Sequence, residues 1–307
     1  RNRVPKDLFS MRLNERRTVY RHEKSEADEA QHVADTIENA VASGEKPGDF
    51  AVLYRSAFLS RRVEQELLKR KIPYAVWGGV RFFERKEIRD VICYLRLIAS
   101  DDDDMAFSRI INLPSRKFGA ASMKALTTLA QEKEVPLFVA LKMAVGDRRF
   151  DRPTLHRFIN MIESARMWSR QMPVSELTDR ILVESKLADL YRLDEQEERL
   201  ENLSELINQM KEFEQSQIDN GDMTLASYLQ EIALYTDADT FSDTSRVRLM
   251  TIHQSKGLEF PTVFVVGLTE GVFPSHRSIR ERRLDGEEEE RRLMYVAVTR
   301  AASMLYL

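Results

Sequence analysis

The pattern of apolar residues changes twice along this chain, and these changes constrain its fold more than any other feature. Between residues 18 and 100, apolar runs such as Phe50–Tyr54 alternate with amphipathic stretches, which is typical of strands alternating with helices. From residue 101 to about 235 the sequence shows helical periodicity with almost no strand signal, and prolines punctuate it. Strand character returns at Val247 and continues to the end.

This pattern predicts an α/β domain with a parallel sheet that is interrupted by an all-helical insertion. The predicted boundaries are residues 1–100 and 246–307 for the α/β domain and 101–245 for the insertion, with a polar, acidic linker at 236–245. A first strand is expected at 18–21, and Ser25 is expected to cap the helix that follows it. The charged stretch 277–286 is expected to be mobile.

Composition limits the classes of function. The net charge of −3 gives no overall cationic field, so any contact with nucleic acid must come from local patches. The single cysteine, Cys93, excludes an intramolecular disulfide and is consistent with a reducing cytoplasm, which is the expected location. No apolar run has transmembrane length, so no membrane partner is expected. Because the chain starts without Met and stops on the apolar run Met304–Leu307, we expect a fragment.

The polar segment Thr251–Phe260 lies between two apolar runs that are typical of buried strands. It carries a histidine (His253), a lysine and a glycine (Lys256 and Gly257), and a carboxylate (Glu259). A ligand-binding loop needs such groups, since a carboxylate can accept hydrogen bonds from a ribose hydroxyl and an imidazole can donate a hydrogen bond to a phosphate. Taken singly, Glu259 is better explained as a turn cap and His253 as a half-buried histidine, but all ten residues in order favour a ligand loop.

A second polar cluster forms one predicted helix that ends at Thr299 and Arg300. The acidic run Glu287–Glu290 lies in its first turn, where the helix dipole favours negative charge. At the other end, Arg300 can simply stabilise the helix terminus, which contributes ~0.3–1 kcal/mol. Alternatively it can act as an arginine finger on a transferred γ-phosphoryl group, which contributes ~10³–10⁵ in rate.

Two further places hold candidate binding residues. Tyr54 and Arg55 leave a buried strand, where an aromatic ring can stack on a base and a guanidinium can reach a phosphate. Taken alone, this common pair is better explained as a rim aromatic and a surface arginine. In the insertion, the basic loop 111–119 carries Ser115, Arg116 and Lys117, which can hold a duplex phosphate. An ordinary helix–helix turn with solvated cations is an equally good explanation of that loop.

Three of these pieces resemble, in order, the motifs of the UvrD/PcrA/Rep type of superfamily 1 DNA helicases. Phe50–Arg55 looks like motif IV, Thr251–Phe260 like motif V and Tyr295–Ala301 like motif VI. The stretches 74–97 and 270–274 also resemble the family. The resemblance implies a RecA-like motor domain, called 2A, interrupted by a helical insertion, called 2B.

The resemblance also implies roles for single residues. Tyr54 is expected to stack on adenine, Arg55 and Arg300 to contact the γ-phosphate, and Glu259 to hold the ribose, with Lys256 and Gly257 beside the nucleotide. These groups are expected to meet at one edge of the sheet. His253 and Thr251 are expected between ATP and single-stranded DNA, and His276 is expected at DNA although relatives carry that histidine one position earlier. The loop Ser115–Gly119 resembles a helix-hairpin-helix element on duplex DNA, with Lys117-Phe118-Gly119 replacing the usual Gly-hydrophobic-Gly.

The chain shows no glycine-rich turn ending in Gly-Lys-Ser/Thr, and no metal site of its own is expected. The resemblance therefore implies that a first motor domain, N-terminal to Arg1, supplies the phosphate and Mg²⁺ ligands and that ATP binds between the two domains. The expected function is the C-terminal half of an ATP-dependent 3′–5′ DNA helicase on single strands and single-strand/duplex junctions, with repair or replication proteins as partners. The alternatives are a non-catalytic DNA- or protein-binding module with the same fold, and the motor half of a helicase–nuclease.

Overall fold

The computed structural model describes residues 18–147, 149–193, 197–218, 223–236, 246–282 and 284–307. Contacts divide the chain into two compact units, which we call the sheet unit (1–79 and 240–307) and the helical unit (80–239). The predicted linker at 236–245 and the first seventeen residues fall almost entirely outside the described part. In the part that is described, no helix is both long enough and apolar enough to cross a membrane.

The sheet unit contains one five-stranded parallel sheet with the strand order β2-β3-β1-β4-β5. The helical unit therefore enters the chain between β2 and β3, which are neighbours in the sheet. The predicted first strand is present only as a bridge between Val19 and Tyr306. The elements of the sheet unit are α1 (Glu26–Ala42), β1 (Phe50–Tyr54), α2 (Ser60–Lys69), β2 (Tyr74–Val76), β3 (Val247–Thr251), β4 (Phe260–Val265), α12 (His276–Arg282), α13 (Leu284–Val298) and β5 (Ala301–Tyr306).

Both faces of this sheet are buried, as the apolar runs predict. Along β1 the side chains alternate, so Phe50, Val52 and Tyr54 share one apolar cluster whereas Ala51 and Leu53 belong to the other. The first cluster includes residues of α1 and α2, and the second includes residues of α13. The side chain of Ser25 accepts a hydrogen bond from the backbone N–H of Asp28, which confirms the predicted helix cap.

The helical periodicity after residue 101 predicts helices at 104–112, 119–132, 135–145, 153–170, 174–186, 196–217 and 223–235, and each is present in the helical unit within a few residues of its expected ends. One short additional helix, α9, was not expected, and neither was α12, which occupies part of the charged stretch 277–286 of the sheet unit. The helices of this unit are α3 (Lys86–Ala99), α4 (Asp104–Ile110), α5 (Ala120–Lys133), α6 (Leu137–Ala144), α7 (Pro153–Trp168), α8 (Val174–Glu184), α9 (Leu187–Leu193), α10 (Glu197–Ser216) and α11 (Leu225–Thr236).

Helix α3 belongs to the helical unit, although the predicted boundary at residue 100 assigns it to the α/β domain. Its apolar side chains lie in the core of the helical unit. Buried polar contacts bind it there as well, since Asp90 pairs with Arg109 at 2.7 Å and accepts a hydrogen bond from the hydroxyl of Tyr191 at 2.8 Å. The change of unit therefore falls at residues 79 and 80, before α3 begins.

Candidate functional site

The segment Ile252–Glu259 connects the two opposite edges of the parallel sheet, and we call it the crossing loop. It starts after Thr251, which pairs with Tyr54 at the carboxyl end of β1. It ends before Phe260, the first residue of β4. Two residues later, Thr262 pairs with Phe50 at the amino end of β1. The groups that the sequence singles out therefore divide between a carboxyl edge and an amino edge.

At the amino edge, Glu259 and Arg300 stand immediately before neighbouring strands. Glu259 is exposed and precedes β4, whereas Arg300 is half-buried and precedes β5. The two strand starts are joined by a hydrogen bond of 2.9 Å from the backbone N–H of Phe260 to the carbonyl oxygen of Arg300. Glu259 and Arg300 therefore lie at the starts of two neighbouring, hydrogen-bonded strands.

The guanidinium of Arg300 is held in a fixed orientation by neutral oxygens. It donates at 2.7 Å to the carbonyl of Leu258, at 3.0 Å to the carbonyl of Val296 and at 3.0 Å to the hydroxyl of Thr299. These acceptors orient the side chain without neutralising its charge. An oriented, always-charged group of this kind suits an incoming phosphate.

At the carboxyl edge, Arg55 forms a bidentate ion pair with Glu290 of α13. The closest contact is 2.9 Å from Nη2 to Oε1, and Nε donates at 3.1 Å to the same oxygen. The carboxylate of Glu290 is 2% exposed and also accepts the backbone N–H of Ser275 at 3.1 Å, whereas Arg55 keeps 22% of its side-chain exposure. Glu290 thus joins the end of β1 to the loop after β4.

Two histidines lie at this same edge. Partial burial, followed by the positive charge of Arg55, lowers the pKa of His253 below its usual 6.5, while Glu290 and Glu289 oppose that shift. His253 lies two residues after Thr251, which pairs with Tyr54, so it leaves the sheet beside Arg55. His276 is exposed and follows the loop after β4, where its ring packs on Gly271, since a Cβ there would collide with His276 Cδ2.

The prediction that Arg55, Glu259 and Arg300 meet at one edge is wrong. Arg55 follows the carboxyl end of β1, whereas Arg300 precedes the amino end of β5, and all strands between them are parallel. At about 3.3 Å per residue, a six-residue strand such as β4 separates the two edges by roughly 20 Å. Because the strands are parallel, Arg55 lies too far from Arg300 for the two side chains to share a site.

The structure also corrects the prediction for Tyr54. Its side chain is 1% exposed because the alternation of β1 points it, with Phe50 and Val52, into the apolar cluster. The ring offers no free face on which an adenine can stack. Lys256 and Gly257 are exposed on the crossing loop, and Gly257 has a φ of +86° with open space where a Cβ would be.

In the helical unit, the two basic residues of the loop between α4 and α5 differ in burial and in contacts. Arg116 is buried, and its guanidinium donates to the carbonyls of Ile110 at 2.9 Å and Ile111 at 3.1 Å and to the hydroxyl of Tyr94 at 2.8 Å. It also lies 4.6 Å above the ring of Phe158. The prediction that Arg116 holds a DNA phosphate is therefore wrong, because its charge is used to organise the loop.

Ser115 and Lys117 remain exposed on the same loop, and Gly119 is the N-cap of α5. Lys117 has a φ of +59°, so the backbone makes a left-handed turn here, a conformation that glycine would favour. The N-terminal amides of α5 and the ammonium of Lys117 are thus the parts of this loop that can meet an anion.

Sequence reasoning missed Glu290 as the partner of Arg55, because an acidic run at a helix start has a sufficient explanation in the helix dipole. Among the residues that the structure describes, no group of three or more His, Cys, Asp or Glu side chains could hold a metal ion.

Residues 5–307 match the model of the UvrD-like helicase C-terminal domain, and the chain belongs to this family. The chain is 37% identical over 319 residues to the ATP-dependent DNA helicase PcrA of Bacillus subtilis, a match that covers 100% of the chain and 42% of the relative.

Two further relatives carry the name DNA helicase II. The protein from Escherichia coli is 39% identical over 92% of the chain and 40% of its own length, and that from Haemophilus influenzae is 42% identical over 92% and 39%. The chain spans about two fifths of the length of these relatives.

Proposed function

We propose that this chain is the C-terminal motor half of an ATP-dependent 3′–5′ DNA helicase or translocase. Its amino edge completes an ATP site, its carboxyl edge contacts single-stranded DNA, and the helical unit contacts duplex DNA at a junction. The observation that carries this proposal is the crossing loop, a single segment that joins the two edges. Its first residues, including His253, lie at the edge of Arg55, and its last residue, Glu259, lies at the edge of Arg300. The names of the relatives support the substrate and the energy source.

In the proposed ATP site, Arg300 stabilises the charge that develops on the γ-phosphate, and the exposed carboxylate of Glu259 accepts a ribose hydroxyl. The phosphate-binding loop and the Mg²⁺ ligands would come from a first motor domain of the same protein. The neutral acceptors of Arg300 hold its guanidinium at the edge before ATP arrives, which reduces the reorganisation needed for phosphoryl transfer.

In the proposed DNA site, Thr251 is the last residue of β3, His253 and Arg55 follow β3 and β1, and His276 begins α12 after the loop that follows the next strand, β4. Adjacent strands are about 4.8 Å apart, so these side chains form a short track along the edge. The Arg55–Glu290 pair holds the guanidinium in place, and a DNA phosphate would compete with Glu290 for it. The exposed Ser115 and Lys117, with the amides that follow Gly119, would contact the duplex backbone.

Separate substitutions at the two edges test this proposal in a protein that carries both motor domains. We expect Arg300→Ala to lower the ATPase rate by ~10³ or more while the affinity for single-stranded DNA stays unchanged. Arg300→Lys should not restore the rate, because an ammonium lacks the planar fork. The double variant Arg55→Gln/Glu290→Gln, which leaves no buried unpaired carboxylate, should weaken DNA binding and retain nucleotide binding.

ATPase activity that survives in Arg300→Ala would contradict the nucleotide assignment and favour a non-catalytic module. Loss of ATP affinity in the Arg55/Glu290 variant would contradict the assignment of Arg55 to the DNA site. The chain alone should bind ATP weakly and show no turnover, since it would hold half a site, and robust hydrolysis by the purified chain would refute that division of labour.

A further inference from the structure

We propose that Trp77 is a stacking platform for a nucleobase of single-stranded DNA, at the β2 end of the carboxyl edge. This inference rests on the proposed function, because it extends the same DNA track by one strand. Trp77 directly follows β2, and β2 is the neighbour of β3 in the sheet. The indole therefore stands at the edge where Thr251, His253 and Arg55 also leave their strands.

Trp77 is a large apolar side chain that stays exposed directly after β2, the edge strand of the sheet. Trp77 keeps 42% of its exposure, while Tyr74 at the start of β2 is 7% exposed. Within the described part of the chain, none of the ring–ring or cation–ring contacts involves this indole. A free aromatic face at a nucleic-acid edge suits base stacking, which needs a π-surface and tolerates any base.

The backbone under Trp77 is fixed to the rest of the edge. Its N–H donates at 2.8 Å to the carbonyl of Leu249, which extends the pairing with β3 by one residue. The next residue, Gly78, accepts a hydrogen bond at 3.2 Å from the side chain of Gln254, and Gln254 in turn accepts the N–H of Thr251 at 2.9 Å. The platform is therefore tied to the crossing loop that carries His253.

The side chain of Gln254 lies so close to Gly78 that only glycine fits at this position. Its φ is +68°, and a Cβ at this position would lie 2.8 Å from Nε2 of Gln254. A side chain there would push Gln254 away and release the platform from the loop. Trp77 and Arg55 follow strands that are two spacings apart, about 10 Å, so one strand of DNA can place a base on the indole and a phosphate at the guanidinium.

The chain has two tryptophans, which gives a direct measurement. In Trp168→Phe, Trp77 is the sole indole, and we expect an oligothymidylate of about ten nucleotides to quench its emission as it binds. In Trp77→Phe, the remaining Trp168 reports any quenching that does not come from the platform. Fluorescence anisotropy of a labelled oligothymidylate gives binding independently of the indole.

The affinities of variants for oligothymidylate distinguish the contribution of base stacking from that of charge. We expect Trp77→Ala to weaken oligothymidylate binding roughly tenfold and Trp77→Phe to stay within about threefold of the parent. Neither should change the slope of log K against log salt, whereas Arg55→Gln/Glu290→Gln should reduce that slope by about one. With an abasic strand of equal length, Trp77→Ala and the parent should bind equally.

Bound oligothymidylate without quenching in Trp168→Phe would overturn the inference about Trp77. Equal affinity of Trp77→Ala and the parent would also overturn it, as would an equal loss on the abasic strand. In these cases the DNA track survives if the Arg55/Glu290 variant binds more weakly. If that variant binds as the parent does, or if the parent does not bind, the DNA-binding edge itself is wrong and the inference falls with it.

Discussion

Two neighbouring cations in the helical unit, Arg116 and Lys117, show that a residue type does not define a role. The sequence offers both as phosphate ligands, yet the structure buries one and exposes the other. Arg116 donates to the carbonyls of Ile110 and Ile111 at the end of α4, of which only that of Ile110 also accepts a loop N–H, from Leu113. Lys117 stays in solvent on a left-handed residue of the same loop.

We expect Arg116→Met to destabilise the helical unit by about 2 kcal/mol, because it removes the donor to the carbonyl oxygens of Ile111 and Pro114. The carbonyls of Ile110 and Leu113 keep the N–H of Leu113 and the hydroxyl of Tyr94 as donors. The matched variant Lys117→Met removes a charge one residue away and should change the free energy of unfolding by less than about 0.5 kcal/mol. Thermal and urea unfolding, followed by circular dichroism, compare the two. Equal stability of both variants would show that the contacts of Arg116 contribute little.

His253 should make the stability of the sheet unit depend on pH. Its folded pKa lies below the unfolded value of 6.5, so the folded state binds fewer protons in the window between them. Stability should therefore fall as the pH drops through 6.5 toward the folded pKa. His253→Gln lacks this contribution, so the difference in Tm between parent and variant should change between about pH 7 and about pH 5. A constant difference over that range would mean that the pKa of His253 is not depressed.

At the scale of elements, local periodicity was sufficient to predict most helices and the strand–helix alternation, because it depends on residues a few positions apart. The parallel sheet was predicted as well, and it already implies that Arg55, which follows a strand, and Arg300, which precedes one, lie at opposite edges. The burial of Tyr54 likewise follows from alternation along Phe50–Tyr54. By contrast, no local signal reports that Glu290 pairs with Arg55 or that Arg116 turns inward, since both depend on tertiary contacts.

The loop between α4 and α5 permits a test of backbone strain with charge held constant. Lys117→Gly and Lys117→Ala remove the same charge, but only glycine adopts the φ of +59° without a steric penalty. We expect the glycine variant to be more stable than the alanine variant by about 1 kcal/mol. If the backbone amides also approach duplex phosphates, the glycine variant should bind a hairpin duplex more tightly. Equal stability would show that the turn relaxes in both.

At the scale of the whole molecule, the sheet separates the two proposed ligands and the crossing loop connects them. At the start of the loop, the N–H of Ile252 donates a hydrogen bond to the carbonyl of Tyr54. Near its end, the carbonyl of Leu258 accepts a hydrogen bond from the guanidinium of Arg300. A shift of the loop at the DNA edge would therefore move the acceptor that orients Arg300. Such a connection would link occupancy of DNA to the rate of ATP hydrolysis.

Gly257 provides the test of this coupling. Its φ of +86° disfavours any side chain, while the space around it is open, so a substitution strains the backbone without a clash. In a protein with both motor domains, we expect Gly257→Ala to reduce the stimulation of ATPase by single-stranded DNA severalfold while each ligand still binds. Gly257→Asn is the matched control, because asparagine tolerates left-handed backbone better than alanine, and it should retain more of the stimulation. If alanine and asparagine leave the stimulation intact, the loop does not transmit the signal, and the two edges must communicate through closure of the motor domains alone.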